Sequence, residues 1–212
     1  MTVNAPPFEM KWMVLVAVTA LSFFGIFDHS LWTPDEPREA QIVREMSLSG
    51  EYLIPSLGGE KFLEKPPLYY LAAAGFYRLL GSRFPEAGRI ASAFFALGTF
   101  AVVFFVTRRV FSEEAALLAP LILATFPLFF LAAHKMLVDM GLVFFITAAM
   151  GAFLMACGER GRAWYAAFWL SLAGAFLCKG VVGLAIPGTA LLVFMIWQRD
   201  AGFLRRARVV PG

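Results

Sequence analysis

The sequence predicts an all-α polytopic membrane protein, with about six transmembrane helices and juxtamembrane amphipathic helices in the first external loop. Three observations carry this reading. Apolar residues make up 60% of the 212 residues and charged residues only 16%, against roughly 45–50% and about 25% in soluble domains. The mean hydropathy is +0.73, and the apolar residues gather into runs near the ~18 residues that mark a span. The basic residues sit at the ends of those runs, where orientation signals lie. A net charge of +3 is ordinary for such a protein and gives no argument for nucleic acid as a partner. The bilayer is the partner that the composition implies.

Residues 1–11 form a short terminus ending in Lys11. The first apolar run, Trp12 to Phe27, has no small-residue cleavage site after it and reads as an uncleaved signal anchor. A polar external loop covers residues 28–87. Further apolar runs follow at about 88–107, 115–133, 136–157, 163–178 and 181–197. Residues 12–198 are thus the membrane region and 199–212 a basic tail. The segment 67–81 is helical in character, with Pro67 at a first helical position and Gly81 as a stop. It is about 22 Å long at 1.5 Å per residue, too short for a ~30 Å hydrocarbon core, and it contains Arg78.

Parity decides what 67–81 does. If it does not cross, Lys11, Arg108-Arg109, Arg160 and Arg162, and the tail arginines Arg199, Arg205, Arg206 and Arg208 all fall on one side. The positive-inside rule makes that side cytoplasmic. If it crosses, they fall outside. The expectation is six spans, both termini cytoplasmic, and interfacial helices at about 34–49 and 67–81. Cys157 and Cys178 then face opposite sides, so no disulfide between them is expected.

The same parity collects Asp35, Glu36, Glu64, Lys65, His134, Lys135, Asp139 and Lys179 on the outer face. Thr33-Pro34-Asp35-Glu36 has the pattern of a capping box, Thr33 as cap and Glu36 three positions on. The helix it opens runs to about Ser49. Its apolar positions Ala40, Val43 and Met46 recur every three residues, so one face can lie on the membrane. Asp35 stands in the first turn, where the helix dipole favours an anion. Pro66 and Pro67 hold Lys65 extended at the start of the next helix, and its ammonium suits a phosphate. Lys179-Gly180 lies in a very tight outer connection, against the charge rule for short loops. Asp139, inside the fourth span, is a functional candidate because intramembrane acids are costly. Each also has a plain reading: helix-start acids for Asp35 and Glu36, snorkelling for Lys65 and Lys179, and pairing with Lys135 for Asp139.

The segments TPDEPREAQIVREM, FLEKPPLYY, KMLVDMGLVFF and LCKGVVGLAIP, in this order, resemble the bacterial branch of the protein O-mannosyltransferase-like superfamily. The resemblance is greatest to the aminoarabinose transferases and related undecaprenyl-phosphate-sugar transferases, and it covers about 12 to 205. It implies a GT-C fold with juxtamembrane helices in the first external loop. It implies a polyprenyl-phosphate-linked sugar as donor, a lipid or protein as acceptor, and inversion at the anomeric carbon on the external face of the bacterial inner membrane. By similarity Asp35 is the catalytic carboxylate, with Asp139 a second acid. Lys65, with Lys179 beside it, takes the donor phosphate. Glu36, Glu64, Arg38 and Lys135 are supporting residues. Glu64 aligns with a zinc-binding residue of one relative, but Arg83 stands where a histidine partner would be sought, so neither metal nor cofactor is expected. The chain is shorter than the family, so the tail is expected to be truncated and the chain a fragment of the enzyme. The alternative is a membrane transporter or non-catalytic membrane subunit. Pro120, Pro127 and Pro187 offer helix breaks for it, but the charges sit at span ends rather than at mid-depth.

Overall fold

In the computed structural model, residues 8–32, 34–80, 84–159 and 162–198 are described. Thr33, Arg83, Arg160 and the tail arginines of 199–212 lie outside them. The chain is helical almost throughout, in the order α1 (Phe8–Phe23), α2 (Asp35–Ser49), a hairpin of β1 (Ser56–Leu57) and β2 (Glu60–Lys61), α3 (Leu68–Leu80), a 3-10 turn (Pro85–Gly88), α4 (Arg89–Val110), α5 (Glu113–Ala124), α6 (Pro127–Ala133), α7 (Val138–Glu159), α8 (Arg162–Lys179) and α9 (Val181–Gln198). Among the described residues, three helices are long and apolar enough to cross a membrane: 85–110, 138–157 and 181–198.

The apolar run 115–133, expected as one span, is broken. Phe126 is extended (φ −71°, ψ 118°) because Pro127 disfavours a helical residue before it. The two pieces, α5 and α6, meet at 75°. Taken as one bent span, they raise the count to four. Pro120 and Pro187 instead remain inside their helices.

Small residues let the long helices approach. A Cβ on Gly98 of α4 would stand 2.6 Å from the Phe144 ring of α7, and one on Gly151 of α7 would stand 2.8 Å from Val106. This is how helices pack where lipid offers no hydrophobic drive. The tight connection after Lys179 has the same logic. Gly180 takes φ +63°, which a glycine adopts without steric cost. Its N–H donates to Phe176 O at 2.7 Å. Gly183 then turns α9 back so closely that a Cβ there would sit 2.8 Å from Phe176 N and nearer still to the Ala175 carbonyl.

The loop between α1 and α4 is an ordered cap on the bundle. Its face of Ala40, Val43 and Met46 does not lie on the membrane as the periodicity suggested. With Ile42 it is buried against Tyr69, Tyr70, Ala73 and Ala74 of α3. The helix period is right, but the neighbour is another helix rather than lipid. The hairpin turn at Gly58 and Gly59 has φ +65° and +84°, the both-positive geometry of a type I′ turn. The Glu45 carboxylate holds it, accepting from Gly58 N at 2.8 Å and Gly59 N at 3.2 Å.

Gly183→Leu forces the α8 and α9 backbones apart, and overpacking of this kind costs about 1–3 kcal/mol or more. The expected outcome is a lower thermal unfolding midpoint in detergent for Gly183→Leu and little change for Gly188→Leu, whose Cβ meets open space.

Candidate functional site

The site is organised by a buried ion pair that the sequence reading did not single out. Arg89, the first residue of α4, is 0% exposed, and Glu36 of α2 is 1% exposed. Arg89 Nε donates to Glu36 Oε1 at 2.6 Å, and Nη2 to Oε2 at 2.9 Å. The remaining guanidinium protons go to the carbonyls of Ile26 (2.7 Å), His29 (2.9 Å) and Ser30 (3.1 Å). All five donors of the fork are thereby used. Glu36 accepts two further bonds, from Trp32 N at 2.7 Å and Met136 N at 2.8 Å. The capping box is corrected accordingly. Thr33 lies outside the described residues, Pro34 precedes the helix without a side-chain cap, and the Glu36 carboxylate is occupied by Arg89. Burial pushes the Glu36 pKa up, but the Arg89 hydrogen bond, the two backbone donors and the Arg89 charge outweigh it and hold it below its usual 4.5.

Because Arg89 also grips the turn after α1, the chain leaves α1 and enters α4 at one end of the bundle. Lys11, Arg108 and Glu113 meet at the other end, with Lys11 2.6 Å and Arg108 3.7 Å from the Glu113 carboxylate.

The predicted residues fall into three groups around this pair. In the first, Asp35 is exposed and accepts from Arg38 Nη2 at 3.3 Å, and the same Nη2 stands 3.5 Å from Glu39 Oε1. Glu39 is completely buried. It takes the Lys65 ammonium and the Tyr70 hydroxyl, which donates to Oε2 at 2.5 Å. Burial and the Glu39 charge push the Tyr70 pKa far up, keeping it a neutral donor. Asp35 and Lys65, 30 positions apart in the sequence, thus belong to one network. In the second group, Asp139 pairs with Lys179, not with Lys135. In the third, the Lys135 ammonium lies 4.3 Å from the centre of the Trp32 ring. Glu64 is exposed and takes no partner among the described residues. Lys65 and Lys179, the residues expected to take the donor phosphate, are each paired with a carboxylate, Glu39 and Asp139.

Further ties hold the groups in register. Tyr69 Oη and Ser92 Oγ lie 2.7 Å apart, and Ser92 Oγ donates to Lys135 O at 2.6 Å. An apolar cavity of about 480 Å³ opens beside the α5–α6 bend, with Lys135 and Asp139 as its charged lining residues. Among the described residues no three His, Cys, Asp or Glu side chains gather as a metal site would require.

Glu39 and Arg89 each carried a signal. Glu39 interrupts the apolar face of α2, one turn before Val43. Arg89 is a cation at the N-terminal end of a long apolar run, against the dipole of the helix it opens.

A bundle of apolar helices capped by an ordered loop rich in paired acids and lysines is the GT-C arrangement, and the chain has that fold. It belongs to the dolichyl-phosphate-mannose-protein mannosyltransferase family, whose sequence model matches residues 64–208. The structure superposes on ArnT from Cupriavidus metallidurans in the apo state with a TM-score of 0.85 at 32% identity, covering 96% of this chain and 39% of that one. For ArnT bound to undecaprenyl phosphate the TM-score is 0.87 at 31% identity, with the same coverage. The undecaprenyl phosphate-alpha-4-amino-4-deoxy-L-arabinose arabinosyl transferase of Shewanella sediminis is 35% identical over 80% of this chain and 32% of its own length. An uncharacterized protein of Aquifex aeolicus is 32% identical over 92% of this chain and 44% of its own. The chain therefore spans a third to under a half of the length of these relatives.

The depressed pKa of Glu36 makes a prediction with a definite sign. Its contribution to stability is fully present above about pH 4.5 and is lost as the pH falls through the lower folded-state value. Wild-type protein in detergent should lose more thermal stability between about pH 5 and about pH 2 than Glu36→Gln does. An equal loss in both assigns the acid sensitivity to other carboxylates.

Proposed function

We propose that this chain works as a glycosyltransferase. It moves a sugar from a polyprenyl-phosphate-linked donor to a lipid A-like lipid or a protein, with inversion, at the external face of a bacterial inner membrane. The observation that carries this reading is the single network joining Asp35 to Lys65 in a chain of the GT-C fold. The names of the relatives, arabinosyl transferases and an ArnT bound to undecaprenyl phosphate, support the donor class. They give the transporter alternative nothing.

The six-span reading goes with it. α1 and α8 join the three long helices and the bent pair as crossings, and α2 and α3 stay outside. The meeting of α1 and α4 at Arg89 supports an external loop that returns to the side it left.

The roles follow from charge. When the bond from the anomeric carbon to the phosphate oxygen breaks, its electron pair stays on the phosphate. Lys65, and Lys179 at the end of α8, meet that growing charge, which is the kind of electrostatic term that dominates many such reactions. Asp35, exposed at the helix start, orients or deprotonates an acceptor hydroxyl. An acceptor phosphate is already anionic and needs no base. Asp139 holds Lys179 in place.

Two measurements test the proposal. Undecaprenyl phosphate should bind the protein in nanodiscs, and Lys65→Met should weaken that binding at least about tenfold. Asp35→Asn should lower transfer to an acceptor hydroxyl by about 100-fold or more, the usual scale for a positioned acid or base, with expression unchanged. Near-normal binding and transfer in these variants would overturn the assigned roles.

A further inference from the structure

The reaction proposed above gives Glu39 nothing to do, yet its position is the most constrained in the network. It is a fully buried carboxylate shared between the Tyr70 hydroxyl, the Lys65 ammonium and, at 3.5 Å, Arg38. Charges alternate along the line Asp35, Arg38, Glu39, Lys65. The lysine suited to the donor phosphate is therefore already neutralised from behind. Drawing the ammonium away from a fully buried carboxylate is costly. Lys65 consequently has to serve Glu39 and an arriving phosphate together.

That sharing bears differently on donor and product. The glycosyl donor is a phosphodiester with one negative charge. The C1–O bond to the phosphate breaks, its electron pair stays on the phosphate oxygen, and a new bond forms from the acceptor oxygen to C1. A hydroxyl acceptor gives its proton to Asp35. The departing polyprenyl phosphate is a monoester carrying about −1.5 to −2 charges near neutral pH, as phosphate monoesters do. A lone lysine would hold this product more tightly than the donor and stall the next turnover. A fixed negative charge just behind the lysine opposes the more highly charged product most.

We infer that Glu39 is a positioning residue that aims the Lys65 ammonium and tempers its grip on phosphate, so that the spent polyprenyl phosphate is released. Tyr70 keeps the carboxylate seated, and Arg38 extends the same restraint to Asp35. The inference rests on Lys65 as the donor-phosphate residue.

The test is undecaprenyl phosphate binding to the protein in nanodiscs, wild type against Glu39→Gln. The amide preserves the shape and still accepts from Tyr70, but it removes the charge. The expected result is product affinity about tenfold tighter than wild type, with the multiple-turnover rate falling more than the single-turnover rate. A residue that only supports the fold gives the opposite sign: equal or weaker binding in Glu39→Gln overturns the inference. If Glu39→Gln does not accumulate, Tyr70→Phe carries the test. Without the hydroxyl the carboxylate spends its full charge on Lys65, so product affinity should fall about threefold, and an unchanged affinity overturns the inference. Failure of the wild-type protein to bind undecaprenyl phosphate at all overturns the donor reading and this inference with it, whereas wild-type binding without the Glu39→Gln gain leaves the donor reading standing.

Discussion

A guanidinium completely removed from water at the start of a membrane helix is an expensive arrangement. The helix dipole opposes it, and burial of the charge costs several kcal/mol. Arg89 is tolerated because Glu36 faces it with both oxygens and because its other protons find the carbonyls of Ile26, His29 and Ser30. The pair acts as a clamp on four pieces of the chain. It gathers the turn after α1, the start of α2, the start of α4 and, through Met136 N, the link between α6 and α7. Those are the pieces that carry Asp35, Lys135 and Asp139. Take the clamp away and the segment between α1 and α4 loses its one ion pair to the bundle among the described residues.

The second constraint is packing. α2 and α3 press an apolar face together through Val43, Met46, Tyr69 and Tyr70. This fixes Glu39 on one helix against Lys65 and Tyr70 at the start of the other. The chemistry proposed for the site then follows from position. An exposed acid stands at one end of an alternating charge line, and a half-buried lysine with a built-in counter-ion stands at the other. Such a line carries little net charge, so it suits a substrate whose own charge changes during the reaction.

Much of this was legible in the sequence, for identifiable reasons. Composition and run length fix the membrane class, because they reflect the solvent rather than the partners. The motif order around Asp35, Lys65, Asp139 and Lys179 points to the family. What could not be read was pairing. Glu36 looked like the acid of a capping box opened by Thr33, and its partner lies 53 positions away. The partner of Lys65 was not visible because Glu39 is 26 positions upstream. The apolar stripe of α2 has the same period whether it faces lipid or another helix. The break at Pro127 was visible as a residue but not as an angle, since Pro120 and Pro187 remain within their helices.

The claim at the centre of this account is that Glu36 and Arg89 act as one unit. A double-mutant cycle of Glu36→Gln, Arg89→Met and the double variant, read by unfolding in detergent, tests it most directly. Each single change strands a buried partner and should cost about 3–5 kcal/mol. The double variant, with no uncompensated charge left, should be far less destabilised than the sum of the two. Strictly additive losses would contradict the account.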